Sequence, residues 1–198
     1  MKYFPIFLNV EKQRVVIAGD SATVAAKLRV LLKTEAEIHA YTDAPNAALE
    51  AAVASGRIQL HAKPPAKADL SAAALVYLGY QDVAISRVLH AQCRELGVLC
   101  NTVDNAGASD FISAAIVDRD PVVVAIGSEG SAPVLVQKIK ADIEALLGSA
   151  TGAVALLAQR LRPVSRSRLP AAERLPFWRR FFAGEAETRI STLGDRKS

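Results

Sequence analysis

Three short stretches of this 198-residue chain carry residue types that can do chemistry. The first, Cys100-Asn-Thr-Val-Asp104, ends an apolar run on a carboxylate and opens into Asn-Ala-Gly-Ala-Ser. A carboxylate at the carboxyl end of a buried strand can act as a general base, and it suits a hard or borderline divalent cation that must exchange. Asp104 reads also as an aspartate that caps its own loop. The second stretch, Gly127-Ser-Glu-Gly-Ser-Ala-Pro133, precedes a helical pattern. Exposed N–H groups at such a place favour carboxylates, with Ser128 and Gly130 as the residues concerned; the other reading is a plain helix-capping loop. The third, Gly19-Asp-Ser21, turns an apolar run into a helical pattern, where a dinucleotide-binding fold holds its phosphates. Against the GxGxxG pattern only Gly19 is a glycine; Ser21 and Val24 stand at the other two positions, and Asp20 adds a carboxylate that must turn away from any bound anion. Asp43 lies 24 residues after Gly19. It is placed either to hold the ribose hydroxyls of an adenosine or to cap a helix before Ala44-Pro45.

Strand and helix alternate along residues 14–103. Arg14–Ala18, Glu37–Thr42, Arg57–His61, Ala73–Leu78 and Val98–Val103 read as strands, separated by helical patterns such as Val24, Leu28, Leu31 and Leu32 on one face. Asp20 or Ser21 caps that first helix. Lys63-Pro-Pro65 breaks the pattern, and Gln81–Leu96 reads as helix closed by Gly97. The alternation predicts a parallel α/β sheet with helices on both faces. After Asp104 the rhythm changes. Residues 111–117 and 121–126 read as two strands around a tight turn at Asp118-Arg-Asp120. Pro133 suits the first turn of the helix that follows, with Leu135, Ile139, Ile143 and Leu146 on one face. Helix continues through 152–162, residues 163–176 with three prolines read as a broken connector, Phe177–Phe182 as a short aromatic–basic helix, and residues after Gly184 as frayed.

Composition bounds the remaining possibilities. Hydrophobic residues make up 51% and charged residues 22%, which supports a packed core. No apolar run reaches the roughly 18–20 residues of a membrane span. Residues 1–150 hold 14 basic and 16 acidic side chains, residues 151–198 hold 10 and 4. The basic end reads as a solvated helical surface or as a site for a polyanion. Cys93 and Cys100 read as buried, inert thiols, and no CxxC or HExxH offers a zinc site. His39, His61 and His90 are scattered and read as satisfied or surface histidines. Arg119 pairs with a ligand carboxylate or with its neighbours Asp118 and Asp120; the structural role is favoured. The aromatic residues near 180 read as packing, not as a nucleic-acid platform. A cytoplasmic protein without nucleic-acid or membrane partners is expected.

Several motifs, in order and spacing, carry a family resemblance. They are Pro5-Ile-Phe7, Cys100-Asn-Thr-Val-Asp104, Phe111-Ile112 followed by Asp118-Arg119, Ser128-x-Gly130-x-x-Pro133-Val-Leu135, and Phe177-Trp-Arg-Arg-Phe-Phe182. Together, over about residues 3–183, the chain resembles the precorrin-2 dehydrogenase/sirohydrochlorin ferrochelatase module, the N-terminal half of bifunctional siroheme synthase. The methyltransferase domain of the fused enzymes is expected to be absent. The resemblance implies a Rossmann-like NAD-binding domain over 1–110, a small α+β dimerisation region over 111–148 and a helical C-terminal region over 149–198, paired as a homodimer. It implies oxidation of precorrin-2 with NAD+, followed by insertion of Fe2+, a substrate, to give siroheme. The essential aspartate falls on Asp104, which also handles the metal transiently. Substrate contacts fall on Ser128 and Gly130, and cofactor contacts on Gly19, Ser21, Ala22, Thr23, Asp43 and Ala44. The chain departs from the family's pattern in Gly19-Asp-Ser21, where three glycines are usual, and in Leu78-Gly79, where Ala-Thr is common. Two rival readings stay open: a chelatase or tetrapyrrole-binding protein that has lost NAD binding, and a non-catalytic regulatory or binding protein.

Overall fold

The computed structural model describes residues 1–185, which form two compact units divided between Ser113 and Ala114. The expected frayed end lies outside the described residues.

The first unit is a five-stranded parallel sheet of order β3-β2-β1-β4-β5, with β1 Arg14–Gly19, β2 Glu37–Tyr41, β3 Ile58–His61, β4 Leu75–Gly79 and β5 Leu99–Thr102. The central strand is apolar because both of its faces are covered. Alternate residues of β1 go to different cores. Val15 and Ile17 join Val24, Leu28 and Leu31 of α1 (Ser21–Leu31) and Leu49 of α2 (Ala47–Ala54). Val16 and Ala18 join Leu70 of α3 (Lys67–Ser71) and Leu89 and Cys93 of α4 (Val83–Leu96) on the other face. This is the period-two division that a pleated strand imposes. Helix α3 follows Lys63-Pro-Pro65, where only a break was expected; at five residues it is too short to show a helical period. The winding reverses between β1 and β4, so the fold is Rossmann-like with its switch point at that pair.

The second unit opens on a hairpin of β6 (Ala115–Arg119) and β7 (Val122–Ile126), with Arg119 opposite Val122. The expected turn at Asp118-Arg-Asp120 moves on by two residues. Asp118 and Arg119 belong to β6, and the chain reverses at Asp120-Pro121, a cis peptide. Pro121 cannot donate to a ladder, so the reversal falls there. Three helices follow: α5 (Pro133–Leu146), α6 (Thr151–Arg168) and α7 (Ala171–Arg180), with Pro133 at the first turn of α5 as expected. Gly152 at the start of α6 leaves no room for a side chain, because a Cβ would lie 2.2 Å from the Asp120 carbonyl oxygen. The broken connector is not found. Pro163 and Pro176 sit inside α6 and α7, and only Leu169-Pro170 separates the helices. The carbonyls that these prolines leave without a helical donor belong to Gln159 and Ala172, both exposed residues. Arg174 donates to the carbonyls of Arg166 and Leu169 at 2.9 and 3.1 Å and so secures that corner. Phe177, Trp178, Phe181 and Phe182 stack on one another, with Trp178 edge-on to Phe181 at 5.4 Å.

Candidate functional site at the carboxyl edge of the sheet

Parallel strands bring the ends of all five strands to one edge of the first unit, and four of the connections there, after β1, β2, β4 and β5, concern the site. Gly19, Ser21, Ala22 and Thr23 lie after β1, Asp43 and Ala44 after β2, and Asp104 after β5. Ser128 and Gly130 belong to the second unit.

The turn after β1 is packed hard against β4. A Cβ on Gly19 would lie 2.2 Å from the Gly79 carbonyl oxygen, and a Cβ on Gly79 would lie 2.1 Å from Cγ2 of Thr23. In the three-glycine fingerprint the last glycine lets the helix approach the sheet. Val24 stands at that place here and is fully buried. The missing space is supplied from the other side by Gly79, which takes the Thr23 methyl. Gly79, where the chain departs from the resembled pattern, thus packs against both Gly19 and Thr23.

Asp20 occupies the N-cap position of α1 but caps no helical N–H. Its carboxylate accepts instead from the Gln81 N–H at 2.7 Å, and its own N–H donates to the Gly79 carbonyl at 3.0 Å. The first turn of α1 is left without a side-chain cap, and the Ser21 hydroxyl oxygen is buried without a hydrogen-bond partner. Asp43 is exposed and is not the cap of α2: Asn46 does that, its Oδ1 accepting from the Leu49 N–H at 3.2 Å. Tyr80 stands close by. Burial first, then the charges of Asp43 and Asp20, push its hydroxyl pKa up to about 12.

Asp104 is exposed and has left-handed backbone, with φ of 58°. The capping role falls to its neighbour Asn105, whose Oδ1 accepts from the Ala108 N–H at 3.1 Å. The neck of this loop is tied. Ser109 Oγ accepts from the Thr102 N–H at 2.9 Å and donates to the Asn105 carbonyl at 2.8 Å. Asp110 accepts from the Cys100 N–H at 3.0 Å, and Asn101 Nδ2 donates to the Phe111 carbonyl at 2.9 Å.

Beneath Asp104 lies a cluster that sequence reasoning missed. Lys27 Nζ donates to Ser113 Oγ at 2.8 Å and sits 5.1 Å from the centre of the Tyr77 ring, which meets Phe111 edge-on at 5.4 Å. Burial lowers the Lys27 pKa, and the charge of Asp104 opposes that shift. Burial raises the Tyr77 hydroxyl's. The available signal was spacing: Lys27 lies one helical turn beyond Thr23, on the same side of α1.

In the second unit Ser128 Oγ accepts from the Ala132 N–H at 3.2 Å, and Glu129 and Gly130 both have left-handed backbone at φ of 53° and 81°. Arg119 has the structural role: it donates to the Leu147 and Glu144 carbonyls at 3.0 and 2.9 Å and closes the end of α5. His39 and His61 face each other, Nδ1 to Nε2 at 3.3 Å. The other nitrogen of His39, Nε2, and His90 Nε2 are buried without partners, so these two are not satisfied in the way the sequence suggested. Cys93 and Cys100 are buried free thiols, and the hydrogen bond with the Cys93 thiol, then burial, pushes the Cys100 pKa up.

Comparison with known proteins bears on this edge. A family model described as "Putative NAD(P)-binding" matches residues 6–115. The chain is 32% identical to a siroheme synthase of Nitrosomonas europaea over 93% of its own length and 39% of the relative's. It is 35% identical to a siroheme synthase of Chromobacterium violaceum, with the same two coverages of 93% and 39%. It is 33% identical to siroheme synthase 1 of Serratia proteamaculans, over 96% of this chain and 40% of that one. The chain thus spans about 40% of the length of the curated relatives it matches. A solved structure, "SirC, precorrin-2 dehydrogenase", has the same fold: TM-score 0.75 at 14% identity, covering 99% of this chain and 100% of that one.

The residues present fit a dinucleotide. The uncapped first turn of α1 and the unpartnered Ser21 hydroxyl suit a pyrophosphate, and the exposed Asp43 suits ribose hydroxyls. Among the described residues no single helix is long and apolar enough to cross a membrane.

Proposed function

Because the chain belongs to the putative NAD(P)-binding family, we propose that it oxidises precorrin-2 to sirohydrochlorin with NAD+ and then aids insertion of Fe2+ to form siroheme. The observation that carries this reading is Asp104: an exposed carboxylate in left-handed backbone, two strands from the β1–α1 turn on the same edge. Two strand spacings are about 10 Å. That leaves room for a flat macrocycle between proton acceptor and cofactor. The names of the relatives and of the fold neighbour support the same substrate class.

The oxidation removes a proton and a hydride from the macrocycle. Asp104 accepts the proton as general base. When bound, the dinucleotide supplies the hydride acceptor. Gly19, Ser21, Ala22 and Thr23 hold its pyrophosphate, and Asp43 and Ala44 its adenosine ribose. Lys27 and Ser113 support the Asp104 side of the crevice from below. Ser128 and Gly130 receive substrate carboxylates. In the second reaction Fe2+ replaces two pyrrole protons, and Asp104 accepts protons again and meets the metal transiently. Among the described residues no group of three or more His, Cys, Asp or Glu is gathered in one place.

The division into parts 1–110, 111–148 and 149–198 belongs to this reading, as does a cytoplasmic homodimer. Exposed apolar side chains on α5, Val134 at 82% and Leu146 at 80%, support pairing with a second copy.

Anaerobic oxidation of precorrin-2, followed by absorbance, tests the reading. The expected result is NAD+-dependent turnover that falls at least about 100-fold in Asp104→Ala. Equal rates for the two proteins, or an inert wild type, refute it. The Asp20 carboxylate in the turn favours one alternative, a chelatase or tetrapyrrole-binding protein without the cofactor. Sirohydrochlorin binding with no saturable NAD+ binding decides for that alternative.

A further inference from the structure

We infer that Asp20 is a charge gate on the crevice between the β1–α1 and β4–α4 loops, holding dinucleotide affinity below what the turn itself would give. This rests on the reading of that turn as the cofactor site. The two loops flank the switch point of the sheet, because β1 and β4 are neighbours and the winding reverses between them. Asp20 bridges them twice, through its N–H to the Gly79 carbonyl at 3.0 Å and through its carboxylate from the Gln81 N–H at 2.7 Å. The bridge keeps the carboxylate in the crevice and off the helix N-terminus, which leaves the α1 donors open to an anion. It does not remove the negative charge. Asp43 brings a second carboxylate from the neighbouring loop, and the half-buried Tyr80 hydroxyl feels both. A pyrophosphate that takes the α1 donors therefore meets like charge on its β4 side, in a site partly screened from water.

The charge and the bridge are separable. Asp20→Asn keeps an oxygen that can accept from the Gln81 N–H and removes only the charge; Asp20→Ala removes both. Calorimetric titration with NAD+ is expected to show roughly tenfold tighter binding for Asp20→Asn than for wild type. Adenosine, which has no pyrophosphate, is expected to bind the two proteins alike. Hydrogen exchange of the Gln81 amide, measured without ligand, is expected to quicken in Asp20→Ala and to stay slow in Asp20→Asn. Saturable NAD+ binding of equal strength in wild type and Asp20→Asn overturns the gate and leaves the functional reading standing. A gain for adenosine as large as that for NAD+ also overturns it, since the loop would then have loosened generally. No saturable NAD+ binding by either protein overturns the gate and the dehydrogenase reading together.

Discussion

Cγ2 of Thr23 on α1 fills the space that a side chain on Gly79 of β4 would need, at 2.1 Å from the Cβ position. Gly79→Ala is therefore expected to cost about 1–3 kcal/mol by overpacking. Thr23→Ser removes the obstructing methyl. The double variant is expected to be more stable than the sum of the single losses, because the two residues share one contact. Urea unfolding of the four proteins measures the coupling; strictly additive losses would mean that the helix yields elsewhere.

Asp104 separates function from stability. Its side chain is exposed and its backbone is left-handed, a conformation that asparagine also tolerates. Asp104→Asn is expected to change unfolding free energy by no more than about 0.5 kcal/mol while abolishing precorrin-2 oxidation. A β-branched residue cannot adopt that backbone cheaply, so Asp104→Val is expected to cost about 1–2 kcal/mol. Denaturant melts beside the anaerobic assay check both.

Arg119 is expected to matter for folding alone. Its guanidinium closes the end of α5 through the carbonyls of Glu144 and Leu147. Arg119→Met is expected to destabilise by about 2 kcal/mol, the worth of charged hydrogen bonds to otherwise unpartnered carbonyls. The affinity for a tetrapyrrole polycarboxylate should not change. A large fall in that affinity with little loss of stability would instead put Arg119 in the binding surface.

The pair of His39 and His61 predicts a pH dependence. Burial, then the charges of Arg14 and His61, lowers the His39 pKa from 6.5. Below pH 6.5 the unfolded chain takes up a proton that the folded protein resists, so stability falls with pH from there down through the lowered folded value. Above pH 6.5 this contribution is flat. Thermal unfolding between pH 5 and 8 is expected to show this acid slope in wild type and a shallower one in His39→Gln. Parallel slopes would acquit the histidine.

The parallel sheet was legible because short strand-like runs at Arg14–Ala18, Glu37–Thr42 and Ala73–Leu78 alternate with helical patterns, and the first and third of them are almost wholly apolar. The hairpin was legible in outline, though the turn was read at Asp118–Asp120, where polarity pointed, and lies at Asp120-Pro121, where the missing N–H acts. Pro163 and Pro176 misled for a related reason. A proline does not always end a helix, and here the carbonyls it leaves unpaired fall on the exposed residues Gln159 and Ala172, within reach of solvent. Asp104 and the β1–α1 turn could be found from local sequence. The Lys27–Ser113 bond joins residues 86 positions apart, and the fit of Gly79 to Thr23 spans two elements, so neither leaves a mark in any short window.

The ties at the base of the Asp104 loop also bear on how this chain can vary. Ser109 and Asp110 fasten the returning chain to Thr102 and Cys100, so residues 103–108 form a closed handle with a tied root. Exchanging the handle's outer residues, or lengthening it by one or two, need not disturb the sheet from which it rises. A protein built this way can retune which guest it accepts by local edits while its scaffold is inherited unchanged.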